Sequence, residues 1–195
     1  MTWSRALGLR IVFALVLLAA CSRQPQVDWS APENFFAGEK SAEVEGGARL
    51  EFHSIIDAPA AAVYRTLADV EHYAQFVDGV SESALMTQDN NVKVIRIAQT
   101  VIGRQSRAQV KWILHPDDMK IEFETQQSDA NYNDGTYQII GSPDGKRSYV
   151  ISVFLVKEKG APPNVPLGVL KAATREAFAK AARSVKQRAV APAGA

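Results

Sequence analysis

The sequence contains little cysteine, little histidine and almost no net charge. It has one cysteine and three histidines in 195 residues, and its 22 basic residues are balanced by 21 acidic ones. A single cysteine excludes an internal disulfide framework and any zinc site built from several cysteines. The balanced charge excludes an overall positive field of the kind that draws a protein to nucleic acid. Glycine-rich phosphate loops and metal-ligand spacings are also missing, so the sequence predicts no cofactor, no metal and no nucleic-acid partner.

The composition is that of a folded domain. Hydrophobic residues make up 47% of the chain and charged residues 22%, which is typical of a globular protein. The length is sufficient for one domain with a sizeable core. Because a second cysteine is missing, such a core has to be stable through packing alone.

Residues 1–20 have the pattern of an export signal. Arg5 and Arg10 form a positive start, and residues 11–18 form an uncharged apolar run. This run is too short to span a bilayer, which needs about 20 apolar residues. It is followed by a leucine-to-cysteine segment, LAAC, whose last residue is Cys21.

The segment that ends at Cys21 resembles the lipobox of bacterial lipoproteins, in which a leucine and two small residues precede the modified cysteine. The resemblance implies that the Cys21 sulfur carries a diacylglycerol, that the signal is removed, and that the new amino group is acylated, for example with palmitate. Ser22 stands in place of an aspartate, whose absence implies sorting to the outer membrane, on the periplasmic side of the cell envelope. The alternatives are an ordinary secretory leader with a chance cysteine at its boundary, or a short membrane anchor.

The mature chain divides into a tether, a domain and a tail. Residues 21–36 contain two prolines and little periodicity, so they are predicted to form a tether. Residues 37–190 are predicted to be one ligand-binding domain, and residues 191–195 a disordered tail. The tether contains three aromatic residues, which are Trp29, Phe35 and Phe36. We expect these rings to dock on the domain, with contact to a membrane as the alternative.

The domain is rich in predicted antiparallel strands. Gly46 and Gly47 indicate a hairpin, and turn residues separate six further extended runs. These runs lie at residues 81–87, 92–102, 106–114, 120–127, 136–140 and 148–156. Clean alternation of apolar and polar residues in the third and fourth runs predicts strands with one buried face.

Helices are predicted at two places. Pro59 suits the first turn of a helix, and Asp69 is expected to cap a second, short helix after it. Pro166 opens a long helix that extends to about Arg188 and carries an apolar stripe. The stripe consists of Leu167, Leu170, Thr174, Ala177, Phe178, Ala181 and Val185. Such a helix can cover the apolar face of a curved sheet, and the small residues in the stripe leave room for a cavity.

Four segments in the correct order resemble the START-like superfamily, or SRPBCC group, which includes polyketide cyclase/dehydrase-like and coenzyme Q-binding proteins. They lie at residues 56–69, 73–76, 135–139 and 165–166. They resemble its I-x-A-P-x-x-x-V-[WY]…L-x-D opening, its Y-x-x-[FW] helix, its G-x-W-x-[LI] strand and its V-P signature. Tyr137 stands where tryptophan is frequent. The resemblance implies the α+β helix-grip fold, in which a curved antiparallel sheet wraps around a long C-terminal helix. A deep apolar pocket lies between the sheet and this helix.

The same resemblance implies a hydrophobic small-molecule ligand. Members of the superfamily bind lipids, isoprenoid quinones, steroids or polyketides, and a minority catalyse cyclisation or dehydration. The candidate residues for the lining of an internal cavity are Val110, Trp112, Phe123, Tyr137, Ile139, Leu170 and Phe178. The alternative is that these residues fill a closed core, because both interpretations require them to face inward.

Polar candidates for the site are few. Arg96 lies in a strand whose inward face the alternation leaves ambiguous. Pointing inward it would pair with an acidic ligand head group, and pointing outward it would be a surface arginine. His53, His72 and His115 are predicted to be surface or structural residues, so no catalytic residue is assigned. A binding protein is therefore expected, with a cyclase/dehydratase-like enzyme or an envelope adaptor with a filled cavity as alternatives.

Overall fold

The computed structural model describes residues 25–101, 104–158 and 166–191. The predicted export signal, Cys21 and most of the predicted tail lie outside these ranges. Within them, no helix is both long enough and apolar enough to cross a bilayer.

An antiparallel sheet of eight strands forms the body of the domain. The strand order is β1-β2-β8-β7-β6-β5-β4-β3, which leaves β1 and β3 at the two edges. The strands are β1 (Asn34–Val44), β2 (Gly47–Ile56), β3 (Val80–Asp89), β4 (Val92–Val101), β5 (Arg104–His115), β6 (Lys120–Ser128), β7 (Asn131–Gly141) and β8 (Ser148–Glu158). Together with the long C-terminal helix, this curved sheet confirms the predicted α+β helix-grip fold.

Helices cover one face of the sheet. They are α1 (Ala60–Ala68), a 3₁₀ turn (Val70–His72), α2 (Tyr73–Phe76) and α3 (Leu167–Val190). The expected cap by Asp69 does not form. Its carboxylate instead accepts a hydrogen bond from His72 Nδ1, at 2.5 Å. The side chain therefore binds the imidazole three residues ahead rather than the backbone N–H groups of the next turn.

Two strands begin three or more residues earlier than the sequence indicates. β1 starts at Asn34, inside the segment predicted to be a tether, and Phe35 and Phe36 pack against the core. The expected docking of these two rings is confirmed. β7 starts at Asn131 rather than at Thr136, because residues with turn character continue the pairing with β8. Between β7 and β6, a side chain takes the place of part of the backbone pairing. The Asp134 carboxylate accepts a hydrogen bond from the backbone N–H of Thr125 at 2.8 Å.

The segment before β1 is fastened to one end of the domain. The Arg147 guanidinium, between β7 and β8, donates to the backbone oxygen of Trp29 at 2.6 Å and forms an ion pair with Asp57 at 2.5 Å. Glu33 accepts the backbone N–H of Asp57 and pairs with Lys186 of α3 at 2.6 Å. The chain therefore enters the domain at a fixed place, beside the end of β2 and the last turns of α3.

The long helix lies over one side of the sheet's inner face. It packs mainly against α1, β1, β2 and α2. Within its predicted apolar stripe, Leu170 and Val185 are buried, and Phe178 and Ala181 pack against the core. The side chain of Leu167 lies outside the described part. The site candidates on β5, β6 and β7 therefore lie on strands other than those that α3 mainly contacts.

Candidate functional site

Aromatic rings cover the inner face of the sheet in a continuous set. Phe52, in the middle of β2, is fully buried and stacks on Phe178 of α3 with 4.7 Å between ring centroids. The set continues through Phe154, Phe123, Tyr137, Trp112 and Tyr73, and successive centroids lie no more than 6.2 Å apart. Rings at such distances attract one another beyond simple area burial. We call this set the aromatic interior.

All of the apolar candidates for a cavity lining lie in or against this interior. Five of them are buried, namely Val110, Trp112, Phe123, Ile139 and Leu170. Tyr137 and Phe178 are partly buried and pack against the same core. The structure thus brings together residues from β5, β6, β7 and α3. That they line a ligand cavity stays a prediction, because a filled core would also gather them.

Gly135 in β7 allows one of these rings to lie flat on the sheet. A Cβ atom at this position would lie 2.7 Å from Cζ of Phe123 and 2.0 Å from the backbone oxygen of Val153. Both distances are far below van der Waals contact, so no larger residue fits without moving the strand. The glycine of the G-x-W-like segment therefore has a packing role directly beneath the aromatic interior.

Tyr137 is deep in the protein but is not sealed. Its ring contacts Trp112, Phe123 and Phe154, and burial raises the pKa of its phenol far above the ordinary value. The residue nevertheless keeps part of its solvent-accessible surface. Tyr137 is therefore packed among aromatic rings and is only partly buried.

Several buried polar atoms have no hydrogen-bond partner in the described part of the chain. They are Trp112 Nε1, Tyr64 Oη, Ser148 Oγ, Ser152 Oγ, His115 Nε2 and Asn133 Oδ1. By contrast, the buried hydroxyl of Tyr73 donates to the backbone oxygen of Leu67 at 2.7 Å. Buried polar groups are normally hydrogen-bonded, so an unpartnered one needs a water or a ligand atom. Trp112 Nε1 is the one such donor among the predicted lining residues that the structure describes.

An ion pair adjoins one end of the aromatic interior. Lys93 of β4 stands opposite Trp112 in the register, and its Nζ lies 2.7 Å from both carboxylate oxygens of Glu71. Burial alone would raise the pKa of Glu71, but the hydrogen bonds from Lys93 outweigh it and lower that pKa. Lys93 also donates to the backbone oxygen of Ala68 at 3.1 Å. Sequence reasoning missed this pair, although Lys93 shares a face with Ile95 and Ile97.

The same ion pair argues against a metal at the nearby acidic groups. Asp69, Glu71 and His72 offer ligand atoms within 4.8 Å of one another. The imidazole of His72 already donates to Asp69, and the Lys93 ammonium occupies both oxygens of Glu71. A cation is therefore already bound there, in the form of a side chain.

Arg96 lies on the opposite, outer face of the sheet. Its neighbour Ile95 is fully buried and pairs with Val110, whereas Arg96 pairs with Gln109 and forms an exposed ion pair with Glu82 at 2.6 Å. The structure therefore contradicts the inward orientation, and Arg96 meets no ligand in the interior. It lines an open surface pocket of about 410 Å³ with Arg107, Ala108, Gln109, Gln126, Gln127, Ser128, Asp129 and Tyr132. The buried isoleucine decides the orientation of this strand.

His53 and His72 have hydrogen-bond partners, as expected of structural residues, and His115 Nε2 lies 3.7 Å from a Glu122 carboxylate oxygen. On the outer face of β2, His53 lies 2.7 Å from Glu51 through Nε2 and 2.6 Å from the Tyr149 hydroxyl through Nδ1. Lys40 and Arg49 also bind Glu51. Burial alone would raise the pKa of Glu51, but the hydrogen bonds from these three residues outweigh it and lower that pKa to about 2. We call these five residues the Glu51 network.

Comparison with solved structures finds the same fold in proteins of low sequence similarity. The Zhui aromatase/cyclase from Streptomyces sp. R1128 is 19% identical, with a TM-score of 0.65 over 75% of this chain and 97% of that one. A START superfamily protein from Mycobacterium smegmatis is 16% identical, with a TM-score of 0.63 over 72% and 96%. A STAR-related lipid transfer protein from Xanthomonas axonopodis is 12% identical, with a TM-score of 0.61 over 80% and 98%. These likenesses show the fold.

Sequence comparison identifies the family of this chain but no individual relative among curated proteins. No curated protein sequence is significantly similar to this chain. Residues 56–183, however, match the family described as polyketide cyclase/dehydrase and lipid transport. That range runs from the last residue of β2 into α3 and includes every ring of the aromatic interior except that of Phe52. The chain therefore belongs to the polyketide cyclase/dehydrase and lipid transport family, as its START-like motifs predict.

Proposed function

We propose that this protein binds a hydrophobic small molecule inside the domain, between the sheet and α3. The observation that carries the proposal is Tyr137, whose ring packs against three other aromatic rings while the residue stays only partly buried. The family and the neighbours named as an aromatase/cyclase and a lipid transfer protein agree with it. A lipid, an isoprenoid or a polyketide-like compound has the apolar body that such an interior accommodates.

The driving force would be removal of apolar surface from water. A ligand that buries roughly 300 Å² of apolar surface gains about 7 kcal/mol at about 25 cal/mol per Å². Loss of translational and rotational freedom offsets part of this gain. A dissociation constant of 1 μM corresponds to about 8.2 kcal/mol, so a compact ligand of this size is expected to bind more weakly than 1 μM, and a larger apolar ligand more tightly.

We further propose that the domain is anchored to a membrane through acyl chains on Cys21. The support is the lipobox-like segment at residues 18–21. The place where the chain enters the domain is fixed at Trp29, because the Arg147 guanidinium donates to its backbone oxygen. The eight residues from Cys21 to Trp29 span at most about 28 Å when fully extended. An anchored domain would thus stay close to the bilayer, within reach of lipid-soluble ligands.

Native mass spectrometry of the chain purified from a bacterial envelope tests the binding proposal. We expect a discrete added mass of a few hundred daltons on the domain, released by an organic solvent. A chain that carries no such mass, and that takes up none when incubated with total lipid extract, would contradict internal ligand binding.

Metabolic labelling tests the anchor independently. The chain should incorporate radioactive palmitate, and Cys21→Ser should abolish incorporation and leave the uncleaved precursor. Ser22→Ala is the matched control, because it changes the adjacent hydroxyl and keeps the thiol. Label that persists in Cys21→Ser would overturn lipidation at this residue and leave the binding proposal untouched.

A further inference from the structure

The aromatic interior has one end that is more polar than the rest. Trp112 contacts Tyr73 and Tyr137, with ring centroids 6.0 Å and 6.2 Å apart. The Lys93–Glu71 ion pair adjoins this group, because Lys93 and Trp112 are register partners on adjacent strands. Apart from this end, the rings of the interior belong to phenylalanines and carry no polar atom.

The polar groups at this end are unequally satisfied. Tyr73 donates its hydroxyl proton to a backbone oxygen, and Lys93 and Glu71 neutralise each other. Trp112 Nε1 is buried and has no acceptor among the described residues. An indole N–H can only donate, and a hydroxyl such as that of Tyr137 can donate as well. Hydroxyls such as those of Tyr137 and Ser152 can also accept, so Trp112 Nε1 is the group at this end that requires an acceptor, and no unpaired cation accompanies it in the described interior.

We propose that this end of the aromatic interior binds a neutral hydrogen-bond acceptor of the ligand, namely the carbonyl oxygen of a ketone, ester or quinone. Trp112 Nε1–H donates the hydrogen bond. This inference rests on the proposed binding function and narrows its ligand class. A carboxylate or phosphate would lose its hydration and find no free positive charge, because Lys93 is already bound to Glu71. A pure hydrocarbon would leave the Trp112 donor unsatisfied, as it is in the ligand-free interior.

A matched set of three probes tests the acceptor. They are 2-acetylnaphthalene, the isosteric hydrocarbon 2-isopropenylnaphthalene and the anion 2-naphthoate. Isothermal titration calorimetry on the full chain, made by cell-free synthesis without membranes, measures each dissociation constant. We expect the ketone to bind about tenfold more tightly than the hydrocarbon, in keeping with one net hydrogen bond. The naphthoate should bind at least tenfold more weakly than the ketone.

Two tryptophan variants assign the effect to a residue. Trp112→Phe should reduce the ratio of ketone affinity to hydrocarbon affinity to less than about threefold. Trp29→Phe is the control, because it removes an indole outside the aromatic interior, and it should keep the full preference. The ratio of two affinities measured on one variant is informative even when that variant is less stable than the native chain.

Each other outcome overturns a distinct claim. Equal binding of ketone and hydrocarbon by the native chain overturns the acceptor and leaves internal binding intact. Tightest binding of naphthoate does the same, because it requires a free cation in the interior. A ketone preference that survives Trp112→Phe overturns the role of Trp112. Failure of all three probes to bind overturns the proposed interior site itself.

Discussion

The Glu51 network on the outer face of the sheet and the buried polar groups on its inner face differ in whether they have hydrogen-bond partners. On the outer face, Glu51 is bound by Lys40, Arg49 and His53. On the inner face, Trp112 Nε1 and Ser152 Oγ are buried with no partner in the described chain. Polar groups that complete one another indicate a structural role, whereas a buried donor without an acceptor indicates a place for a ligand or water. This difference locates the proposed site inside the domain.

The largest effect is expected from removal of an inner-face ring. Phe52→Ala removes a fully buried side chain that stacks on Phe178, and should lower the free energy of unfolding by about 4 kcal/mol. Urea denaturation measures the change. The control is Leu85→Ala on β3, whose residue is 45% exposed and should change stability by less than about 0.5 kcal/mol. A loss below about 1 kcal/mol for Phe52→Ala would mean that the interior is not packed as described.

A methyl group added beneath the interior should have the next largest effect. Gly135→Ala brings a Cβ to 2.0 Å from a backbone oxygen and 2.7 Å from the Phe123 ring, which should cost about 3 kcal/mol of stability. Gly168→Ala in α3 is the matched control, because no atom lies within 4 Å of its added Cβ. In a helix that change should raise stability by up to about 1 kcal/mol. Thermal unfolding followed by circular dichroism compares the two variants.

The outer face should respond to pH through Glu51. Burial alone would raise its pKa, but hydrogen bonds from Lys40, His53 and Arg49 lower that pKa in the folded protein to about 2, from the ordinary glutamate value of 4.5. Its contribution is therefore present above about pH 4.5 and is lost as the pH falls toward 2. Glu51→Gln should cost about 2 kcal/mol at pH 7 and flatten the stability profile over this window. Chemical denaturation at several pH values measures both effects. Glu124→Gln, an exposed residue on β6, should retain the native slope.

The smallest effect is expected at Arg96. Its ion pair with Glu82 joins side chains that are 54% and 39% exposed, and exposed pairs contribute little. Arg96→Gln should change the free energy of unfolding by less than about 0.5 kcal/mol and the affinity for 2-acetylnaphthalene by less than twofold. A large loss of affinity would show that Arg96 contributes to ligand binding. It would contradict the assignment of the binding site to the inner face alone.

Much of the fold can be predicted from local patterns. The alternation in β5 and β6 and the stripe of α3 identify the buried faces, because side-chain direction repeats every two residues in a strand and about every 3.6 in a helix. These patterns also bring Trp112, Phe123 and Phe178 to the interior. β1 is less readable, since prolines and aromatic residues precede it and conceal where pairing begins.

The polar part of the site is not predictable in the same way. Arg96 and Lys93 lie on opposite faces of one strand, and both faces contain apolar residues. Pairing of Ile95 with Val110 determines which face is inside, and this pairing depends on a register between strands. The match of Lys93 with Glu71 likewise joins two elements that are distant in sequence.

The sequence by itself determined the element types, the family and the apolar residues of the interior, because these follow from periodicity and motifs within short segments. Only the tertiary structure decided that Arg96 points away from the interior, that Lys93 is neutralised, and that Trp112 Nε1 has no acceptor. The reason is physical: whether a polar group is satisfied depends on which atoms other elements bring within about 3 Å of it.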